Sequence, residues 1–470
     1  MASDSDADET DTESEPPETV RTAANPGGVS RRTVMKTAGV SAVTAALAGC
    51  SSLLGGDGGD GDDGGDGGTT DGGTVTSDPL DAMLLTFTEG AAGVLGVQAQ
   101  RGAELAVERI NANGGIGGRR ELNLNVKDEA SDALSKYQTS IDEGVDVTFG
   151  PISSGTHESL APEIEAQEVV NVSTDGTVTT LYEQTVPDPT YSFRFQNYDV
   201  MEYTTAAFEA VSRMGADNID TVAGVNPNYT FGEDEMSGFE QAIGGLTGAE
   251  TVYSGFPDLG APDMSTQVSE INSQEPDIVF SSLWGGDVTT FLRQATSRDM
   301  FENVGAVIGP VFYSAAADVP ESAVQADNIF AGSRNFYWDF PRRGRWPPGD
   351  ELFEDAAEQD DIVVPTAHYM SGYGAVAAWA SAVEKAIRML GTYPSQEQIA
   401  MMLEEHGFFT PAGYHNMGTD HQCRSNSFAG RMTYDSDLGA AVLEDVNSYT
   451  ATQVSPPVGG TATDWLSGWE

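Results

Sequence analysis

The sequence predicts an α/β fold with two lobes, each built on a parallel sheet. From Pro79 onward, short apolar runs alternate with segments of about ten to fifteen residues whose apolar positions recur at helical spacing. Such alternation is typical of parallel strands that helices cover on both faces. The body of about 390 residues exceeds what a single hydrophobic core usually organises, so two domains are expected.

The first series of elements predicts the first lobe. It begins with a strand at Leu80–Phe87 and a helix at Val97–Asn113, which Gly114 and Gly115 end as a C-cap does. The series then continues with a strand at Glu121–Lys127, a helix at Ala133–Glu143, a strand at Val145–Phe149, a helix at Thr156–Gln167 and a strand at Val169–Val172.

A second series predicts the second lobe. After a strand at Tyr191–Gln196 come helices at Val200–Met214, Gly232–Ile243, Met264–Ser273 and Val288–Arg298, and strands at Ile219–Val225, Glu250–Phe256, Asp277–Ser282 and Gly305–Ile308. Residues 366–390 predict an amphipathic helix packed on a core, because Glu384, Lys385 and Arg388 interrupt the apolar run.

The break after Pro187-Asp188-Pro189 predicts a hinge near residues 190–200. We expect the chain to cross back near Asn328–Ser333 and again near 408–428. The predicted first lobe is therefore 78–196 plus about 330–408. The second is 197–329 plus about 409–450, and 451–470 form a C-terminal tail.

The first 77 residues have the patterns of an export signal and a membrane anchor rather than those of the folded body. Residues 1–29 form an acidic leader, and Arg31 and Arg32 precede a short apolar run, as in a twin-arginine signal spanning 30–50. That run is too short for a permanent membrane span. Leu47-Ala-Gly-Cys50 resembles a lipobox, with Cys50 as the lipidated residue, and the Gly/Asp-rich stretch at 51–77 predicts a flexible tether.

Charge and cysteine content exclude several classes of function. The formal net charge of -51 argues against nucleic acid as a partner, which needs clustered Lys and Arg. It is typical of a halophile, and we expect the fold to lose structure below molar salt because its surface charges repel one another. Besides Cys50 the chain holds only Cys423, so neither a disulfide framework nor a cysteine zinc site is expected.

Ligands of open parallel sheets bind beyond the carboxyl ends of strands, where the strand order switches. The loops there are rich in Ser, Thr, Gly and aromatic residues: Thr88–Gly96, Gly150–Thr156, Ser173–Thr179, Asn226–Phe231, Ser281–Asp287 and Gly309–Ser314. Ser153 and Ser154 precede a predicted helix, whose N-terminal N–H groups and dipole favour an anion without any basic side chain.

Several stretches resemble the leucine/isoleucine/valine-binding protein family, the extracytoplasmic solute receptors of ABC importers. They are RGAELAVERINANGGIGGR (101–119), VKDEASD (126–132), FGPISSG (149–155), PDIVF (276–280), FLRQA (291–295) and TDHQ (419–422). The resemblance runs from about Pro79 to Met432 and is most specific in the first lobe. It implies the type I periplasmic binding protein fold, in which a three-crossover hinge joins two Rossmann-like lobes. With the signal and lipobox, it points to a haloarchaeal-type lipoprotein.

The resemblance also implies a ligand site. The ligand's carboxylate would lie against Ser153, Ser154, the backbone of Asp175 and Thr177, and the Thr177 hydroxyl. Across the cleft, Phe231 and Trp284 match positions where the family often has tyrosine, and Leu95 matches a first-lobe aromatic position.

One position departs from the family pattern. Amino-acid binders hold the ligand's ammonium with a glutamate soon after a Gly-Pro like Gly309-Pro310, where this chain has Val311-Phe312-Tyr313. By that position, the resemblance implies that Val311 and Phe312 contact the ligand. Asp175, Asp287 or Glu89 could replace it, since a buried unpaired ammonium is costly. Otherwise the ligand is an amide, a urea-like compound or a carboxylate.

Three other interpretations of particular residues are considered. A serine hydrolase using Ser154 is disfavoured, because Gly150-Pro-Ile-Ser-Ser-Gly lacks the G-x-S-x-G spacing of a nucleophile elbow, and His157 lies in the next helix. His406, His415, His421, Asp420 and Cys423 could suggest a metal site, but capping roles are favoured. The aromatic and arginine-rich stretch 336–348 (Arg342, Arg343 and Arg345) predicts packing under an insertion, with permease docking as the alternative.

The sequence therefore predicts a monomeric, membrane-anchored receptor that hands a solute to an ABC permease. It would bind a branched-chain amino acid or a related small polar solute at the cell surface, after twin-arginine export. No catalytic residue, cofactor or metal is expected. A ligand-sensing receptor of the same fold remains the alternative within binding proteins.

Overall fold

The computed structural model describes residues 77–90, 92–341, 344–359 and 361–469; the predicted leader, signal, lipobox and most of the tether lie outside them, as do Arg342 and Arg343. The strands are β1 (Leu80–Thr86), β2 (Leu122–Asp128), β3 (Val147–Phe149), β4 (Asn171–Ser173), β5 (Ser192–Arg194), β6 (Thr221–Val225), β7 (Glu250–Gly255), β8 (Ile278–Phe280), β9 (Ala306–Gly309), β10 (Ile329–Gly332), β11 (Gly407–Thr410), β12 (Gly413–Met417), β13 (Cys423–Arg424), β14 (Ser427–Asp435) and β15 (Ala440–Tyr449).

The α-helices of this part of the chain alternate with the strands through both lobes, as the sequence predicts. They are α1 (Gly93–Ala112), α2 (Ala133–Asp142), α3 (Ser154–Gln167), α4 (Asp199–Met214), α5 (Thr230–Thr247), α6 (Ser265–Gln274), α7 (Gly286–Ser297), α8 (Met300–Asn303), α9 (Pro347–Ala357), α10 (Ala367–Leu390), α11 (Gln396–Leu403), α12 (Ala451–Val454) and α13 (Ala462–Leu466).

The first lobe is built on a five-stranded sheet in the order β2-β1-β3-β4-β5. All its strand pairs are parallel. Most side chains of β1, β3, β4 and β5 are buried, because helices cover both faces of a parallel sheet, whereas most of those on the edge strand β2 are half-buried or exposed. The edge of Trp379 on α10 packs against Phe149 of β3, with ring centroids 6.3 Å apart.

The second lobe has a seven-stranded sheet in the order β15-β14-β10-β9-β8-β6-β7. Strands β6 to β10 are parallel, as predicted for β6 to β9, whereas β14 and β15 extend the edge in antiparallel orientation. The two antiparallel strands and a small antiparallel sheet, β11-β12-β13, were not predicted. The α/β fold with parallel sheets is confirmed, with this antiparallel addition.

Helices α1 and α10 cross closely on the first lobe because glycines stand at the crossing. A Cβ atom on Gly102 would lie 1.8 Å from the carbonyl oxygen of Tyr369, and one on Gly372 would lie 1.8 Å from that of Ala99. Helix α1 starts at Gly93, four residues before the predicted Val97, so Leu95 lies in the helix rather than in the preceding loop.

The chain passes between the lobes three times, after β5, between β10 and α10, and between β13 and β14. The predicted assignment of 409–424 to the second lobe is corrected, because His415 on β12 packs on Phe195 and Gln422 pairs with Arg194 of β5. The start of the 330–408 segment is likewise corrected, because Tyr337 bonds to Leu443 of β15. We propose lobe boundaries at these three passages.

The C-terminal residues 451–469 pack onto the second lobe. Thr204 on α4 donates a hydrogen bond to the carbonyl oxygen of Val454 over 2.9 Å, and the Trp469 ring lies 5.4 Å from that of Phe208. Within the described residues, α10 is the longest helix, and no helix combines the length and apolarity that a bilayer crossing requires.

Candidate ligand-binding cleft

A cavity of about 310 Å³ lies where the carboxyl ends of the two sheets meet. Its walls come from loops that follow strands of both lobes, as expected for parallel sheets. First-lobe lining residues are Phe87, Leu95, Ile152, Ser153, Ser154, Asp175 and Thr177; second-lobe lining residues are Tyr229, Phe231, Trp284 and Arg334. The structure thus brings together six of the eight predicted ligand contacts.

The turn that carries Ser153 and Ser154 is held by the buried carboxyl group of Glu129. Its oxygens accept hydrogen bonds from the N–H groups of Ile152 and Ser153 over 2.8 and 2.7 Å, and burial raises its pKa to about 7. Ser153 is the N-cap of α3, and its hydroxyl accepts from the N–H of Thr156. Ser154 therefore stands in the first turn of a helix that points its N-terminus at the cavity.

The loop after β4 supplies Asp175 and Thr177. We expected the backbone of Asp175 to meet the ligand, but its N–H donates to the carbonyl oxygen of Pro151 over 3.2 Å, so that donor is occupied. The Asp175 carboxylate instead lines the cavity. Arg194 holds the same loop from behind, donating to the carbonyl oxygens of Gly176 and Val178 over 2.7 and 2.9 Å.

Aromatic side chains form the second-lobe wall. Trp284 donates from its indole N–H to the Tyr229 hydroxyl over 3.1 Å, and the rings of Tyr229 and Phe231 lie 6.0 Å apart. Phe87 and Leu95 add apolar surface from the first lobe. Most of a ligand's body would therefore meet apolar or aromatic groups, with polar groups at a few positions.

Arg334 is a cavity residue that the sequence analysis missed. It follows β10, is 7% exposed and has a φ of +43°, in the left-handed region that few non-glycine residues adopt. Its Nη1 donates to Asp175 Oδ2 over 2.6 Å, and its Nε lies 3.0 Å from Oε1 of Glu202. The loop after β10 was not among the candidate ligand loops, because sequence patterns did not predict β10 as a strand.

The structure does not bring Phe312 to this cavity. Its ring is fully buried in the second-lobe core, 6.3 Å from that of Phe291, so the predicted ligand contact at Phe312 is corrected. Val311 is also buried and lines a neighbouring cavity of about 190 Å³ with Arg334 and His368. Both side chains are turned inward because the segment after β9 winds into a short 3₁₀ turn.

Of the three candidates for the missing ammonium partner, Asp175 lies in the cavity. Asp287 accepts from the N–H of Gly260 over 3.0 Å, and Glu89 is exposed; neither lines the cavity. The Asp175 carboxylate already pairs with Arg334 and with His368, whose Nε2 lies 2.8 Å from Oδ2. Arg334 is the only lysine or arginine among the described lining residues.

The histidines have structural partners in the described chain. His157 Nε2 lies 3.3 Å from the Ser192 hydroxyl, away from the predicted serines, and burial lowers its pKa to about 3. His406 and His415 bond to hydroxyls of Ser381 and Thr410, and His421 bonds to the carbonyl oxygen of Ser192. No group of three metal-ligating side chains occurs among the residues described.

The aromatic stretch at 336–348 is largely core. Phe336, Tyr337 and Trp338 are buried, and Trp338 donates to the Tyr313 hydroxyl over 2.7 Å. The packing interpretation therefore holds for these rings. Arg345 is exposed, while the docking hypothesis for Arg342 and Arg343 concerns residues outside the described part of the chain.

Comparisons with known proteins agree with this fold. The family model described as periplasmic binding protein matches residues 82–437. The Leu/Ile/Val-binding protein homolog 1 of Brucella abortus is 24% identical over 349 residues, which cover 73% of this chain and 86% of that protein.

Solved structures with the same fold include a benzoate complex and a leucine binding protein. A solute-binding protein of an ABC transporter from R. palustris, in complex with benzoate, has a TM-score of 0.64 at 18% identity and covers 78% of this chain and 98% of its own. A leucine binding protein from Thermotoga maritima has a TM-score of 0.65 at 18% identity, with coverages of 78% and 98%.

Proposed function

We propose that this chain, which belongs to the periplasmic binding protein family, is the receptor of an ABC importer for a small carboxylate with an apolar or aromatic body. Membership of this family makes it a solute-binding protein rather than an enzyme. The observation that carries the proposal is Arg334, a buried residue that lines the cleft, while the ammonium-binding glutamate that the family resemblance leads one to expect is replaced by Val311.

Arg334, the cationic side chain among the described lining residues, favours an anionic end on the ligand. Arg334 offers a planar set of N–H donors that match a carboxylate, and an ammonium placed beside it would be repelled. On the opposite wall, Ser154 and the first turn of α3 supply hydroxyl and N–H donors. A carboxylate between these groups would replace the hydration that it loses on burial.

The body of the ligand is suited to aromatic surroundings. Phe87, Tyr229, Phe231 and Trp284 surround the cavity with ring faces and edges, which bind flat apolar groups well. The benzoate complex of the structural relative from R. palustris supports this choice by analogy.

A branched-chain α-amino acid is the second candidate, and Asp175 is the observation that favours it. Its carboxylate lines the same cavity and could accept an ammonium group. To do so it would need to give up Arg334, which lies 2.6 Å away. The carboxylate without an ammonium group is therefore preferred.

We also propose that the N-terminal segment holds this receptor at the outer face of the cytoplasmic membrane. In this proposal Arg31 and Arg32 direct twin-arginine export, Cys50 carries the lipid anchor and the Gly/Asp-rich tether separates the anchor from the folded body. The receptor acts as a monomer and delivers its solute to the permease subunits by opening and closing the two lobes.

Matched ligand pairs test the proposed ligand class. In molar KCl, benzoate, 4-hydroxybenzoate and isovalerate should raise the melting temperature, because a ligand that binds only the folded state stabilises it. Benzamide, L-leucine, L-phenylalanine and urea should have little effect. Stabilisation by L-leucine but by none of the three carboxylates would favour the second candidate.

Variants of Trp284 locate the binding. Trp284→Ala should abolish the benzoate-induced shift and Trp284→Phe should keep most of it, since the ring contact is retained. Trp465→Ala is the control, because Trp465 packs on Trp469 in the C-terminal segment and does not line the cavity. A shift that survives Trp284→Ala would place benzoate outside this cleft.

A further inference from the structure

One guanidinium faces three buried carboxyl groups behind the cleft. Arg334 pairs with Asp175 on one side and with Glu202 of α4 on the other. Glu235 of α5 completes the group; it is fully buried, and neither of its oxygens has a conventional hydrogen-bond donor. Arg334 can neutralise only part of this charge, so at least one carboxyl group must hold a proton.

Glu235 is the group that holds the proton in the unliganded protein. A carboxylate without donors at full burial would be strongly destabilising, whereas a carboxylic acid can donate to the neighbouring Glu202 carboxylate. Burial and the nearby Glu202 and Asp199 carboxylates raise the pKa of Glu235 well above its usual range. Burial raises the pKa of Glu202 to about 7, despite Arg334.

The other titratable groups around Arg334 differ in the hydrogen-bonding and charged partners that they have. Asp175 has two partners, because the Nε2–H of His368 donates to it over 2.8 Å in addition to Arg334, and its pKa is lowered. Burial lowers the pKa of His368, so the ring is neutral near pH 7. The remaining groups that influence the cluster are Glu129, His157, Arg194, Asp199, Tyr203 and Tyr229.

A carboxylate ligand would change the balance around Arg334. Without ligand, Asp175 and Glu202 together carry one more negative charge than Arg334 neutralises, since Glu235 and His368 are neutral. A ligand carboxylate would bring a third anion to the same guanidinium. Glu202 is the anion that can most readily be neutralised, because Asp175 keeps His368 as a donor whereas Glu202 depends on Arg334 and Glu235.

We propose that Glu202 takes up one proton when a carboxylate ligand binds Arg334, so that solute capture is coupled to proton uptake. This inference rests on the proposed function of the cleft. Its consequence is a defined pH dependence. Below about pH 7 Glu202 is already protonated and affinity is constant; above about pH 7 each bound ligand draws a proton from solution, and affinity falls by up to about tenfold per pH unit.

The first test needs no ligand. Infrared difference spectra of the unliganded full chain, wild type minus Glu235→Gln, should show the C=O stretch of a buried protonated carboxylic acid at pH 8. At this pH Glu129 and Asp199, whose pKa values are about 7, are mostly ionised and do not obscure it. Absence of the band overturns the proposal, since Glu235 would then not hold the proton.

The second test measures how many protons the protein takes up for each benzoate that it binds. Benzoate is titrated calorimetrically in molar KCl at pH 6, 7 and 8.5, in pairs of buffers with different ionisation enthalpies. Uptake should rise from near zero at pH 6 to nearly one proton per ligand at pH 8.5. Glu202→Gln imitates the protonated side chain, so it should abolish uptake and make the affinity independent of pH, while Glu235→Gln, which keeps a donor beside Glu202, should preserve uptake.

The possible failures are distinct. Benzoate binding without proton uptake at pH 8.5, or uptake that survives in Glu202→Gln, overturns the coupling and leaves the proposed function intact. Failure of benzoate and the other carboxylates to bind at any pH contradicts the proposed function, and the proton-coupling proposal falls with it.

Discussion

Arg194 holds the first-lobe side of the cleft from a fully buried position. Its guanidinium donates to two carbonyl oxygens of the loop that carries Asp175 and to the side chain of Gln422, which comes from a distant part of the chain. The rings of Tyr182 and Tyr198 lie 5.0 and 5.1 Å from its Cζ. One side chain therefore links a ligand loop, strand β5 and the region between the lobes.

Removing this side chain's donors should destabilise the protein strongly. Arg194→Met leaves buried carbonyl oxygens without partners, at about 1–3 kcal/mol for each unsatisfied group, so we expect a loss of about 3–5 kcal/mol in the free energy of unfolding. Denaturant unfolding in molar KCl measures it. Arg431→Met is the control, because Arg431 pairs with the exposed Asp327 and Glu444 and should cost less than about 1 kcal/mol. Equal losses in both variants would show that Arg194 has no special role.

At the scale of elements, the first lobe depends on how closely α1 and α10 approach. The backbone of each helix occupies the space that a side chain at the facing glycine would need. Helix α10 also packs Trp379 on the sheet and presents His368 to Asp175 from its first turn. The position of this helix thus sets both the core of the lobe and one side of the charged cluster.

A single added methyl group tests this crossing. Gly372→Ala should lower the free energy of unfolding by about 1–3 kcal/mol, because its Cβ would lie 1.8 Å from the Ala99 carbonyl oxygen and the helices must separate. Gly244→Ala on α5 has no neighbour nearer than 3.8 Å and should be neutral or stabilising by up to about 1 kcal/mol. An unchanged free energy of unfolding in Gly372→Ala would mean that α1 and α10 can separate without cost and would contradict this account.

The elements that sequence patterns predicted best are those with a clear period. Strands β1 to β4 and β6 to β9 and the helices between them follow from apolar runs and helical spacing. The rule that ligand loops succeed parallel strands indicates the loops that carry Ser153, Ser154, Asp175 and Thr177, while the choice of Asp175 and Thr177 within them came from the family resemblance. Arg334 could not be assigned a role in this way. Its partners Asp175 and Glu202 lie 159 and 132 positions away, and only the folded chain brings them together.

Sequence patterns also could not predict the orientation of the side chains after β9. Val311 and Phe312 occupy the family's ligand position in the chain, but the short turn that follows the strand directs both into apolar packing. The small sheet β11-β12-β13 was missed for a related reason. Its strands are two to five residues long, and their pairing with each other rather than with a main sheet is decided by tertiary contacts.

For the whole molecule, the net charge has the same sign as the proposed ligand. The chain carries a formal net charge of -51, which disfavours the approach of an anion at low ionic strength. At about 1 M salt the Debye length is only about 3 Å, so the surface charge is screened while buried pairs are screened much less. A receptor of this composition is therefore best suited to capture a carboxylate in concentrated salt, with Arg334 as the local attraction.

The claim that Arg334 binds the carboxylate of a ligand is tested most directly by calorimetry. Benzoate is titrated into the wild type, Arg334→Lys and Arg334→Gln in molar KCl at pH 6.5. The wild type should bind. Loss of a hydrogen bond to a charged group is worth about 1.5–3 kcal/mol, so Arg334→Gln should weaken binding about ten- to one-hundred-fold or more. Arg334→Lys, which keeps the charge without the planar donors, should lie between them and guards against effects of misfolding. Unchanged affinity in Arg334→Gln, or binding of L-leucine and not of benzoate by the wild type, would contradict the assignment of this cleft to a carboxylate.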